Sequence, residues 1–124
     1  MLTDSNLLIY AAKPEYAGLE AWMAEYVDTV SAISLVEVLG FHRMTPEVLQ
    51  LLTLLFAPLR VLYPSSITFD VAVNLRQQRN MSLGDALIAA TCLEHNEQLA
   101  TANVDDFAWI AGLVVVNPLD ELHA

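Results

Sequence analysis

The chain of 124 residues is long enough to bury a core and is expected to form one domain, residues 1–124. Its 15 acidic residues against 5 basic ones leave a formal net charge of −10, which excludes a non-specific electrostatic hold on nucleic acid or an anionic membrane. The single cysteine, Cys92, excludes a disulfide framework within the chain, and 56% hydrophobic residues imply apolar surface covered by another chain.

The first hydrophobic residues, 1–3, are stopped by the polar triplet Asp4, Ser5, Asn6, after which Leu7, Leu8 and Ile9 resume. This predicts a short strand ending at Asp4 and a helix or turn after it. Asp4 and the absence of an early Lys or Arg argue against a signal peptide, so the expected location is the cytoplasm. Pro14 suits the first turn of a helix reaching about Tyr26. β-Branched and small residues over 29–33 predict a second strand. The next helix opens with Ser34, Leu35, Val36, Glu37, a serine three residues ahead of an acid. On the face of Glu37, Ser34 and Gly40 are small, leaving space beside the carboxylate.

Thr45 and Pro46 open a helix over residues 45–57 whose polar stripe is only Glu47, Gln50 and Thr53. Its apolar arc is wider than one core needs, so Leu51, Leu54 and Leu55 are expected to cover a partner surface. The run 48–59 is too short to span a bilayer. Residues 60–63 predict a third strand, and Pro64, Ser65, Ser66 introduce a helix to about Gln78. Arg76 and Arg79, two of the five basic residues, end it.

Residues 82–93 form the most distinctive stretch. Ser82 precedes Asp85 in capping-box spacing, and residues 86–93 are almost wholly apolar, so this helix must be covered on most sides. A carboxylate at its mouth needs a cation, a proton or helix N–H groups to offset its charge. Cys92 lies in this helix as a small apolar side chain. A fourth strand is expected over 98–101. A short helix opens at Asn103, with Asp106 again three residues on and Asp105 beside it, and a final strand over 114–116 ends at Asn117 and Pro118.

Strands alternating with helices imply an α/β fold with a central, mainly parallel sheet. Sites in such sheets form beyond the carboxyl ends of the strands. Asp4, Glu37 and Asp106 follow predicted strands and should share that edge, and Asp85 is assigned there by its matching pattern. Four converging carboxylates repel unless cations lie among them, and oxygen-only donors select hard ions such as Mg²⁺ or Mn²⁺. Such a pocket suits phosphodiester hydrolysis by an activated water.

The Asp4-Ser5-Asn6 opening, the 34–37 helix start, residues 82–90 and residues 101–107 together resemble a PIN domain, most closely the VapC-type toxins of prokaryotic toxin–antitoxin pairs. The resemblance runs over residues 1–118. It implies a three-layer fold with helices flanking the sheet and a Mg²⁺- or Mn²⁺-dependent endoribonuclease acting on RNA. It also implies a homodimer and silencing by a cognate antitoxin. Asp4, Glu37, Asp85 and Asp106 correspond to the acidic quartet that is both catalytic and metal-binding, with Asp105 an alternative to Asp106. Asn6 is a candidate to orient Asp4, and Asn103 falls where some relatives have another acid. Ala102 stands where related toxins often carry an arginine, which leaves Arg76 and Arg79 as the candidates to hold RNA phosphates.

Two other readings stay open. One is a PIN-like interaction module with weak or no catalysis, which the charge and Ala102 favour. The other is a phosphatase with Asp4 as nucleophile, opposed by Asn6 in place of a second acid. His42, His95 and His123 lack metal-ligand spacing, no glycine-rich loop follows a strand, and Trp22 and Trp109 are expected in the core or an interface.

Overall fold

Five parallel strands of two or three residues each form the central sheet. A computed structural model describes residues 1–122, so His123 lies outside the described residues. In chain order the elements are β1 (Leu2–Thr3), α1 (Ser5–Ala11), a 3₁₀ turn (Pro14–Tyr16), α2 (Ala17–Tyr26), β2 (Thr29–Ser31), α3 (Ala32–Leu39) and α4 (Pro46–Phe56). There follow β3 (Arg60–Leu62), α5 (Ser66–Gln78), α6 (Leu83–His95), β4 (Leu99–Ala100), α7 (Val104–Phe107), β5 (Val115–Val116) and α8 (Pro118–Leu122).

The strand order is β3-β2-β1-β4-β5 and every pairing is parallel. Leu2 pairs with Thr29 and Leu99, and Thr3 with Val30 and Ala100. Alternation of side chains then sends Leu2 and Leu99 into one core with α5 and α6. Val30 and Ala100 enter a second core with α1, α2 and α4. The helices therefore form a layer on each face, the three-layer arrangement that the resemblance implies.

The expected elements form, with shifted boundaries. Ser31, not Ser34, caps α3: its hydroxyl accepts the Ile33 N–H at 3.1 Å. Ser31 ends a strand with the extended backbone an N-cap requires, whereas Ser34 is already helical and buried. Gly40 does not make room for Glu37. It closes α3, where an added Cβ would run into the Val36 carbonyl. Pro14 starts a separate 3₁₀ turn instead of α2.

In α4, Thr45 and Pro46 act as cap and first residue, and only Leu52 and Phe56 are buried. Leu51 and Leu54 stay 48% and 64% exposed. Every residue from 86 to 92 of α6 is buried, and burial pushes the Cys92 thiol up to about 12, which leaves it an inert apolar filler. α8 was not foreseen, and Trp22 Nε1 anchors it by donating to Glu121 Oε2 at 3.0 Å. Among the described residues no helix is long and apolar enough to cross a membrane.

Candidate active site

The chain leaves β1 toward β2 on one side and returns to β4 on the other, so the order reverses beside β1. Asp4 stands at that switch point, where adjacent loops diverge and open a crevice. Its backbone N–H donates to the Ala100 carbonyl at 3.0 Å, tying it to the end of β4. It is also the N-cap of α1, Oδ1 accepting the Leu7 N–H at 2.9 Å. Oδ2 accepts the Thr101 hydroxyl at 2.5 Å. Asp4 is 3% exposed, and burial pushes its carboxyl up to about 6 against the opposing pull of these two donors. The charges of Asp85 and Glu37 add to the rise.

Glu37 projects from α3 beside α6. Ser5 Oγ donates to Glu37 Oε1 at 2.8 Å, with the Ser34 hydroxyl 2.9 Å from Ser5 Oγ in the same chain of hydroxyls. On the other side the carboxylate lies against Gly84, and a Cβ built there would meet Glu37 Oε2, with the Glu37 carboxyl carbon at 3.0 Å. Gly84, in the first turn of α6, therefore holds the space that the sequence assigned to Ser34 and Gly40.

Asp85 opens α6 as foreseen, its N–H donating to the Ser82 hydroxyl at 3.1 Å. The capping role and a site role are compatible, because the cap uses the backbone of Asp85 and the Ser82 hydroxyl. Half-burial raises the Asp85 carboxyl above the usual range; the Ser82 hydrogen bond opposes this, and the charges of Asp106 and Glu37 reinforce it.

The four acids thus interact through Asp85, which feels Glu37 and Asp106 and is in turn felt by Asp4. None of them forms an ion pair with a basic group among the described residues. Nor do any three Asp, Glu, His or Cys side chains there stand close enough to enclose a metal ion as placed. Glu37 and Asp106 are exposed, with Glu37 held by the Ser5 hydroxyl, while Asp4 is fixed by its two donors. An oxygen-only set, a buried carboxylate raised toward neutrality and a glycine that leaves room for Glu37 together fit a hard divalent cation.

A cavity of about 430 Å³ opens at this edge, lined by Arg79, Ser82, Asp85, Asp105, Asp106 and Trp109 among others. Asp105 and Asp106 both face it, but Asp106 is the one whose charge reaches Asp85. Asn103 flanks a neighbouring recess with both aspartates. It sits at the cap position of α7 without a side-chain cap, since in so short a helix its carbonyl takes the Asp106 N–H instead.

Asn6 is exposed on α1, and the hydrogen bonds that orient Asp4 come from Leu7 and Thr101. Arg79 lines the cavity. Arg76 does not, and its Nε donates to the Met81 carbonyl at 3.1 Å. His95 stands 3.9 Å from Glu94 at the far end of α6 from Asp85, away from the acids.

Three residues that support the acids escaped the sequence reading: Ser5, Gly84 and Thr101. Only Gly84 carried a signal, a helix-disfavouring residue in a first turn beside an acid. Trp109 packs against the core as expected and also lines the cavity.

Comparison with known proteins agrees with this architecture. The profile of the PIN domain matches residues 1–113. A search of curated protein sequences gives no match. Among solved structures, a toxin–antitoxin complex from Klebsiella pneumoniae contains a chain 30% identical, with 94% of this chain and 96% of that one covered and a TM-score of 0.73. VapBC2 from Rickettsia felis, bound to a DNA fragment from its promoter, matches at 21% identity over 94% and 96% of the two chains with a TM-score of 0.77. VapBC-1 from nontypeable Haemophilus influenzae matches at 23% identity over the same shares, 94% and 96%, with a TM-score of 0.76. A parallel sheet with its acids at the switch point, matched along nearly its whole length, makes this chain a member of the PIN domain family.

Proposed function

We propose that the chain is a divalent-metal-dependent endoribonuclease of the VapC type, held in check by a cognate antitoxin. The observation that carries this reading is the set of four carboxylates linked through Asp85 beyond the strand ends, none of them ion-paired among the described residues. The 30% identical chain of a structure named as a toxin–antitoxin complex supports it. Mg²⁺ or Mn²⁺, when bound, supplies the acidity that makes water a nucleophile at neutral pH.

The protein residues do the positioning. Asp4 is held rigidly and Asp85 at the mouth of α6, so these two are assigned as the fixed ligands. Glu37, steadied by Ser5, and Asp106, on the cavity wall, complete the set. A phosphatase with Asp4 as nucleophile is disfavoured because Asn6, exposed on α1, stands where the second acid would be.

The test is cleavage of single-stranded and hairpin RNAs with Mn²⁺, with the Asp85→Asn protein as contamination control. Cleavage should stop with EDTA, leave 5′-phosphates, and fall by about two orders of magnitude or more in Glu37→Gln and Asp106→Asn. Equal cleavage by the control would assign the activity to a contaminant and favour the interaction module.

The exposed face of α4 is assigned to protein partners. Leu51 and Leu54 border a recess of about 310 Å³ with Lys13, Pro14 and Glu20, an apolar floor with a polar rim. A homodimer or the antitoxin would cover it. Sedimentation of the isolated chain separates these: a monomer at high concentration, unchanged by Leu54→Glu, rules out the dimer.

A further inference from the structure

Arg79 is the basic residue that shares a cavity with Asp85 and Asp106, yet it pairs with neither. Its guanidinium carbon lies 5.3 Å from the centre of the Trp109 ring, and no carboxylate stands within ion-pairing distance of it among the described residues. The other arginine on α5, Arg76, is held by the Met81 carbonyl, and Arg60 by Glu97. The indole is fixed in turn: Nε1 donates to the Asp106 carbonyl at 3.0 Å, and the ring packs against the core beneath α6. Arg79 itself leaves α5 in extended backbone, its N–H closing the helix on Leu75, so its side chain starts from a fixed point.

A flexible guanidinium beside two unpaired aspartates would be drawn to them, since opposite charges at contact attract and a bidentate fork suits a carboxylate. Such a pair would occupy the carboxylates needed for a cation and neutralise the positive charge available to a phosphate. The indole face offers a competing seat that leaves the charge intact.

We infer that Trp109 is a positioning residue that parks the Arg79 guanidinium at the rim of the acidic cavity. There it meets a backbone phosphate of single-stranded RNA and leaves Asp85 and Asp106 free for the cation. This rests on the nuclease reading above, and extends it by giving an aromatic side chain the task of keeping acid and base apart.

The experiment compares wild type, Trp109→Ala, Trp109→Phe, Arg79→Ala and the Trp109→Ala/Arg79→Ala double variant. Apparent Mn²⁺ affinity is read from thermal unfolding, and the salt dependence of cleavage from a single-stranded oligoribonucleotide. Trp109→Ala should weaken Mn²⁺ binding roughly two- to fivefold, the range spanned by one exposed ion pair. Trp109→Phe should hold the wild-type value, and removing Arg79 as well should restore it, which a loss of packing could not do. The slope of log rate against log salt should fall by about one in both Arg79→Ala and Trp109→Ala.

Unchanged Mn²⁺ affinity and salt slope in Trp109→Ala would overturn the inference and leave the nuclease reading standing. A double variant as weak as Trp109→Ala would overturn it too, marking Trp109 as structural. A wild type that gains no stability from Mn²⁺ would overturn both.

Discussion

The two ends of the sheet treat carboxylates in opposite ways. At the amino ends of the strands, the amino group of Met1 lies 3.0 Å from Asp28 and 3.1 Å from Glu97, and Arg60 reaches Glu97 at 3.5 Å. The Met1 ammonium, with the Thr29 hydroxyl, holds the Asp28 carboxyl below the usual range. At the carboxyl ends, Asp4 and Asp85 are pushed up by burial, with neighbouring acids adding to the rise and no ion-pair partner among the described residues. Similar side chains on one small sheet are satisfied at one end and left in mutual repulsion at the other. Folding alone favours the first arrangement, and the second is the one the proposed cation site requires.

The largest change in this contrast should come from Asp4→Asn. With the carboxyl near 6 in the folded chain and near 3.8 unfolded, the folded state holds the extra proton between those values. Stability should therefore decline as pH rises from about 4 to about 6 and then level off, a cost of about 2 to 3 kcal/mol at pH 7. The asparagine keeps the Leu7 N–H on its oxygen, and the Thr101 hydroxyl can turn to accept from its amide. Urea unfolding in EDTA should show Asp4→Asn about 1 to 3 kcal/mol more stable than wild type at pH 7, with less loss between pH 4 and 6. A destabilised variant with the wild-type pH profile would show that Asp4 is not a strained group.

Gly84→Ala separates the site from the fold more finely. Alanine favours the helix by up to about 1 kcal/mol over glycine, yet its Cβ enters the space of the Glu37 carboxylate. Cleavage should fall roughly ten- to a hundredfold while the melting temperature holds or rises. Unimpaired cleavage would show that Glu37 needs no room beside α6. The smallest effect belongs to the opposite end: Arg60→Ala should cost less than about 1 kcal/mol in urea unfolding and leave cleavage unchanged, because it removes one exposed contact.

The positions of Asp4 and Asp85 at element starts were legible because Asp4 breaks the run after β1 and Asp85 precedes the apolar residues 86–92, whereas Glu37, inside α3, was placed from Ser34, which is not the cap. The parallel sheet was legible from the alternation of strands and helices. What holds the acids was not. Thr101 reaches Asp4 across 97 positions and Ser5 reaches Glu37 across 32, contacts that exist only once β1, β4 and α3 are assembled. The cap of α3 went to Ser31 because two serines offered the same local chemistry and strand length chose between them. α8 depends on Trp22 and Glu121, 99 positions apart, and nothing local announces it.

The most direct test is thermal unfolding of wild type and Asp85→Asn at pH 7 across a range of Mn²⁺ concentrations. If the acidic end is built to receive a cation, wild type should gain about 1.4 kcal/mol for each tenfold rise in Mn²⁺ above the dissociation constant, while Asp85→Asn stays nearly flat. A flat wild type, or an equal rise in the variant, would contradict the assignment of the unpaired carboxylates to metal binding.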